Sequence, residues 1–120
     1  MAKITNSKTK GVLAAKLAIE KKGENVILLD IRKITTIADY MLVLSCTSTK
    51  HTQGIAAFIK ESFENKKIKL LSIEGFNEGS WILLDYGDII IHIFDQPLRE
   101  FYQIENLWKD GKQVKLDKII

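Results

Sequence analysis

The feature that most constrains the fold is the run Trp81-Ile82-Leu83-Leu84-Asp85-Tyr86-Gly87-Asp88-Ile89-Ile90-Ile91-His92-Ile93-Phe94. Two apolar, β-branched stretches flank a short polar segment containing glycine, which is the pattern of a β-hairpin. A tight loop at Tyr86-Gly87 predicts that Asp85 pairs with Asp88 and that Trp81 lies opposite His92. Counting outward sorts the side chains. Ile82 and Leu84 share a face with Ile89, Ile91 and Ile93, while Trp81 and Leu83 share the other with Ile90, His92 and Phe94. The first face is aliphatic core. The second mixes apolar area with an indole, an imidazole and the two turn carboxylates, as expected where a sheet meets another chain or a polar-edged helix.

Around this hairpin the chain reads as alternating helices and strands. Val12, Ala15 and Ile19, with Leu13 and Leu17 beside them, recur at helical spacing from about Ser7 to Lys22, and Gly23 supplies a stop. Val26 to Leu29 and Tyr40 to Leu44 are short apolar runs that read as buried strands. Thr49 can cap a second helix whose Ile55, Ile59 and Phe63 line one side, with Lys60, Glu61 and Glu64 turned to solvent, ending near Asn65-Lys66. Lys69 to Glu74 reads as a third strand, and a loop from Gly75 to Gly79 leads into the hairpin. A closing helix from about Pro97 carries Phe101, Ile104 and Leu107. The order α-β-β-α-β-β-β-α predicts an α/β fold with a mixed sheet of about five strands packed with helices.

At 120 residues, folding buries roughly two thirds of the surface that an unfolded chain exposes, so one core suffices for a single domain over 1–120. The core spans about 7–110, and a short basic tail follows. Cys46 is the sole cysteine, which excludes an intrachain disulfide. No apolar run reaches the ~20 residues of a membrane span, and Met1 to Asn6 open no secretory signal, so a cytoplasmic protein with no membrane contact is expected.

The net charge of +3 is unevenly spread. Residues 1–24 carry six lysines against Glu20 and Glu24, whereas 75–108 hold Glu78, Asp85, Asp88, Asp95, Glu100 and Glu105 against Arg99 alone. Nucleic-acid readers concentrate Lys and Arg on the elements that meet phosphate. Here the most aromatic stretch is acidic, which points to a basic protein partner rather than naked RNA.

Several fragments taken in order resemble the ribosomal silencing factor family, also called the Iojap family. They are Ala38-Asp39-Tyr40, Ser45-Cys46-Thr47-Ser48 followed by His51, Glu74-Gly75 with Trp81, Asp85-Tyr86-Gly87-Asp88 with His92, and Arg99-Glu100-Phe101-Tyr102 ahead of Leu107-Trp108. The resemblance covers roughly 7–110. It implies a bacterial or organellar protein that binds the large ribosomal subunit at its intersubunit-face protein L-fourteen and blocks small-subunit joining, so repressing translation. It also implies a homodimer when free and a topology related to nucleotidyltransferases without transferase activity. Cys46 stands where family members commonly have glycine, which bears only on a role needing close backbone approach there.

Other chemistries are weighed against simpler readings. Cys46 and His51 could form a thiolate–imidazole pair, but a buried cysteine at a strand end beside a histidine on a helix's first turn is the plainer account. Only Cys46, His51 and His92 offer soft or imidazole ligands, too few for a metal centre, and no cofactor is expected. The Ser45–Ser48 turn could hold a phosphate, which keeps a small nucleotide-binding or nucleotidyltransferase-like enzyme as the alternative. Such transfer needs paired metal-binding acids on one strand, and the strand ending at Glu74 supplies one. A non-catalytic binding protein is therefore the reading. Its partner-binding residues are taken as Trp81, His92, Phe94, Asp85, Asp88, Arg99 and Tyr102, with the lysine-rich first helix free to make a peripheral contact with ribosomal RNA.

Overall fold

The computed structural model describes residues 6–96 and 111–116. In chain order these form α1 (Ser7–Glu20), β1 (Glu24–Asp30), β2 (Tyr40–Cys46), α2 (Thr49–Asn65), β3 (Ser72–Glu74), β4 (Trp81–Asp85), β5 (Ile89–Asp95) and β6 (Lys112–Val114). The strands make one six-stranded sheet in the order β3-β4-β5-β2-β1-β6. The central β2–β5 ladder is parallel and every other pairing is antiparallel, so the sheet is mixed. Sequence signals account for five of the six strands. Residues 112–114 add β6 at the edge, where Val114 pairs with Leu28 and Lys112 with Asp30. The helix expected from Pro97, with Phe101, Ile104 and Leu107, lies outside the described residues.

Both helices begin on a polar cap and end on the same motif. Asn6 accepts a hydrogen bond from the Thr9 amide at 3.1 Å, and Ser48, rather than the expected Thr49, caps α2 by accepting from the His51 amide. At the C-terminus of α1 the amides of Lys22 and Gly23 reach back to Ile19 and Ala18, and at that of α2 the amides of Lys67 and Ile68 reach Glu64 and Phe63. These are Schellman endings in which Lys22 (φ 67°) and Lys67 (φ 64°) occupy the left-handed position that glycine usually takes. Gly23 thus ends α1 through space rather than dihedral freedom. A Cβ there would lie 2.8 Å from Leu44 Cδ1 and 3.0 Å from the Ala18 carbonyl oxygen.

Both helices contribute to the core over one face of the sheet. Ala14, Ala15 and Ala18 of α1 and Ile55, Ala56, Ile59 and Phe63 of α2 pack with Leu28, Leu42, Leu44, Ile82, Leu84, Ile89, Ile91 and Ile93. The α2 stripe is the one its sequence predicts. The α1 stripe is not, because its fully buried side is Gly11, Ala14, Ala15 and Ala18, while Val12, Leu13 and Leu17 pack at the margin. Small residues let the helix backbone approach closely, and a Cβ at Gly11 would already sit 3.1 Å from Leu28. On the opposite face Leu29, Ile31, Ala38, Met41, Val43 and Phe94 form a second buried cluster, with Ile27, Trp81 and Ile90 packed against it. That is why every residue of β2 is buried: the strand lies between two cores.

The hairpin register differs from expectation by two residues. Trp81 pairs with Phe94 and Leu83 with His92, and the Tyr86 amide bonds to the Ile89 carbonyl, so the loop is Gly87-Asp88 and not Tyr86-Gly87. Gly87 has φ +88° and Asp88 a negative φ, the pattern of a type II′ turn with glycine at its first central position. A slip of one residue would have exchanged the two faces. A slip of two preserves them, and the sorting of Trp81, His92 and Phe94 onto the face away from the helices holds.

Candidate partner-binding face

On that face β4 and β5 bring three rings together. Trp81 and Phe94, cross-strand partners, stack with centroids 4.9 Å apart and planes 29° from parallel. His92, on the same side of β5, lies 6.1 Å from Phe94 with the two planes within 11°. It is 5.9 Å from Trp81 across the diagonal of the ladder. The Trp81 indole Nε1 donates to His92 Nδ1 at 3.1 Å. Burial grades across the trio: Phe94 is fully buried, His92 is 7% exposed, and Trp81 is half-buried. Desolvation pushes the His92 pKa down to about 4, so near neutral pH the ring is uncharged. With Nδ1 accepting from the indole, its proton resides on Nε2. Chemically the arrangement offers an apolar plate with an ordered polar edge, suited to packing against a protein surface.

The other expected site residues separate from this trio. Asp85 and Asp88 lie at the far end of the hairpin, and both carboxylates act locally. Asp85 accepts from the Gly87 amide at 2.8 Å, closing the turn, and Asp88 pairs with Lys10 of α1 at 2.9 Å. The Asp88 carbonyl also accepts from the amides of Asp39 and Tyr40, so this residue stitches the turn to β2 and α1. Arg99 and Tyr102 lie outside the described residues. Sequence reasoning had not assigned a face to Met41 and Val43 of β2 or Leu29 of β1, which form the bed beneath the plate. Period-two counting along β2 would have placed Met41 and Val43 together, because alternate residues of a strand share a face.

The alternative chemistries find little geometry. Cys46 is buried, and burial followed by the charges of Glu24 and Asp95 pushes its thiol up to about 12. Both ring nitrogens of His51 are engaged elsewhere. Nδ1 accepts from the Thr47 amide at 3.1 Å, and Nε2 donates to the Lys21 carbonyl at 2.8 Å, so this histidine ties the start of α2 to the end of α1. The Gly75–Gly79 loop is likewise fixed onto α2, where Gln53 donates to the carbonyls of Phe76 and Asn77 and Thr52 to that of Gly79. Gly75 (φ 77°) permits this path, since a Cβ there would collide with the Trp81 carbonyl. Among the described residues no cluster of three His, Cys, Asp or Glu could hold a metal ion, and no helix is long and apolar enough to cross a membrane.

Comparison with known proteins gives a consistent family. A family model described as "Ribosomal silencing factor during starvation" matches residues 5–120. The chain is 36% identical over 112 residues to a ribosomal silencing factor of Bacillus subtilis, covering 93% of this chain and 95% of the relative. Its fold is similar to a crystal structure of a protein from Chromobacterium violaceum, with TM-score 0.85, 26% identity and 92% of each chain covered. It is also similar to one from Bacillus halodurans, with TM-score 0.80, 30% identity, and 92% of this chain and all of that one covered.

Proposed function

Since the chain belongs to the ribosomal silencing factor family, we propose that it represses translation by steric exclusion, binding the large ribosomal subunit at protein L-fourteen and preventing the small subunit from closing over that surface. No chemical step is required. The observation that carries this reading is the aromatic plate, in which a half-buried Trp81 is backed by buried Phe94 and His92 on the face opposite α1 and α2. Amphipathic rings held rigidly at a surface are the usual anchors of protein interfaces, since they present large contact area at small entropic cost. In this reading Trp81 contacts the partner, Phe94 supports it from behind, and Arg99 and Tyr102 extend the contact. Asp85 and Asp88 act by shaping the turn. The same face serves as the contact between two copies when the protein is free, a cytoplasmic homodimer. Exposed lysines of α1 such as Lys16 make at most a peripheral contact with ribosomal RNA.

Sedimentation of the purified protein with isolated ribosomal subunits tests the reading. Co-migration with the large subunit alone is expected. Trp81→Ala, once circular dichroism shows it folded, should weaken that association about thirty-fold, the equivalent of about 2 kcal/mol. A folded Trp81→Ala protein that still blocks subunit joining at wild-type concentrations would overturn it, and light scattering across a dilution series checks the dimer separately.

A further inference from the structure

We propose that His92 is a positioning residue, which fixes the orientation of the Trp81 indole by accepting its Nε1 proton and so presets the ring that a partner meets. The proposal rests on the docking reading above for its consequence, and on geometry for its substance.

The Nε1 to Nδ1 distance is 3.1 Å, an ordinary hydrogen bond, and it is made across a diagonal of the ladder rather than between paired residues. An indole stacked on a ring can still slide and rotate in its plane, since stacking is weakly directional. The Phe94 contact therefore sets the height of Trp81 above the sheet more firmly than its heading. A hydrogen bond from the indole edge to a ring held on a neighbouring strand acts directly on that heading. His92 is suited to this because it is itself immobilised: it is 7% exposed and lies nearly parallel to Phe94. Such burial leaves an imidazole little direct contact with a partner, so its contribution to binding passes through Trp81. The acceptor must be the neutral ring, and desolvation keeps it neutral. Ordering a side chain before association lowers the entropic cost of binding, so losing the preset heading should weaken association about three- to tenfold, less than losing the indole itself.

The full-length protein carries two tryptophans, so its nitrogen–proton correlation spectrum contains two indole signals, and Trp81→Phe identifies one by its disappearance. His92→Asn keeps an acceptor near the position of Nδ1, whereas His92→Phe keeps a planar ring and removes the acceptor. His92→Leu serves the same purpose if the phenylalanine variant does not fold, which the backbone amide signals report. The expected result is that His92→Phe moves the Trp81 indole proton upfield, speeds its exchange with solvent and weakens large-subunit binding about three- to tenfold, while His92→Asn retains both signal and affinity. In a Trp81→Phe background the His92 substitution should change affinity no further. An indole signal unmoved by His92→Phe would overturn the proposal, as would a displaced signal with wild-type affinity. Failure of the docking reading would show differently, as Trp81→Ala with unchanged affinity, and the indole signal then tests the orientation by itself.

Discussion

The two faces of the sheet are built from alternate residues of the same strands, yet they do different work. Beneath α1 and α2 the side chains of β2, β4 and β5 are mostly Ile and Leu, met by the alanines of α1 and by Ile55, Ala56, Ile59 and Phe63 of α2, so that packing is mostly aliphatic. On the other face the same strands present Trp81, His92 and Phe94, with a hydrogen bond inside the cluster and one ring left half-buried. Aliphatic burial is proportional to area and indifferent to orientation, so the helix-covered face is suited to holding the fold together. Rings with polar edges carry angular information, which is what selective recognition requires. The chain has separated stability from specificity by strand parity.

The strongest attack on this contrast is to remove one large side chain from each face. Phe63 of α2 is fully buried, its ring 4.7 Å from that of Tyr86. Phe63→Ala should cost about 3–5 kcal/mol in urea denaturation, through lost contacts and a cavity that the helix cannot collapse. Trp81→Ala should cost at most about 2 kcal/mol, because half of that ring's contact with solvent is already present in the fold. Equal losses would erase the division of labour.

Acid offers a second probe, specific to the aromatic face. His92 is neutral in the folded protein down to about pH 4, whereas in the unfolded chain it titrates near 6.5. Between those values the unfolded state binds the extra proton, so stability falls as pH drops from 6.5 towards 4, by about 3 kcal/mol in total. Above pH 6.5 neither state is charged at this ring and the effect vanishes. Subtracting the profile of His92→Asn from that of the wild type isolates the contribution, since every other group is common to both. A difference that stays flat across that window would mean that the ring is hydrated and the aromatic face open.

The smallest effect belongs to the pair that ties α1 to the hairpin turn. Lys10 and Asp88 are only partly exposed, with side chains at 15% and 27%. Lys10→Ala should lower stability by about 1 kcal/mol and leave large-subunit association unchanged at fixed ionic strength. A loss of association as large as that of Trp81→Ala would move the binding surface to the helix side.

Much of this was legible in the residues because period and parity are robust signals. Ile55, Ile59 and Phe63 lie on the inner side of α2 as spaced, and the hairpin faces are as counted. The register was not legible. Asp85, Tyr86, Gly87 and Asp88 all suit a turn, and which of them occupies the first central position depends on where the left-handed dihedral falls, here Gly87. Trp81 and His92 meet nonetheless, as diagonal neighbours instead of partners. The inner stripe of α1 escaped notice because Gly11, Ala14 and Ala18 have small apolar signals, and their use lies in the close approach they allow. Counting acids could not reveal that Asp85 closes a turn and Asp88 pairs with a lysine, since such local ties depend on geometry. A three-residue strand such as β6 with one apolar side chain carries no pattern to read.

The parallel ladder at the centre of the sheet has a consequence for the order in which the molecule can be assembled. Tyr40 of β2 pairs with Ile89 of β5, and between them the chain must complete α2, β3 and β4. On a ribosome, α1, β1 and β2 emerge first and can pack together at once, but β2 then displays its other edge, and the apolar face turned away from α1, with no neighbour. That edge stays open until β5 has left the exit tunnel, and bringing the two together closes a long stretch of chain, the slow kind of contact in folding. The most deeply buried strand of the finished protein is therefore among the most exposed of the nascent one, and the last segment of the hairpin to be synthesised is the one that shields it.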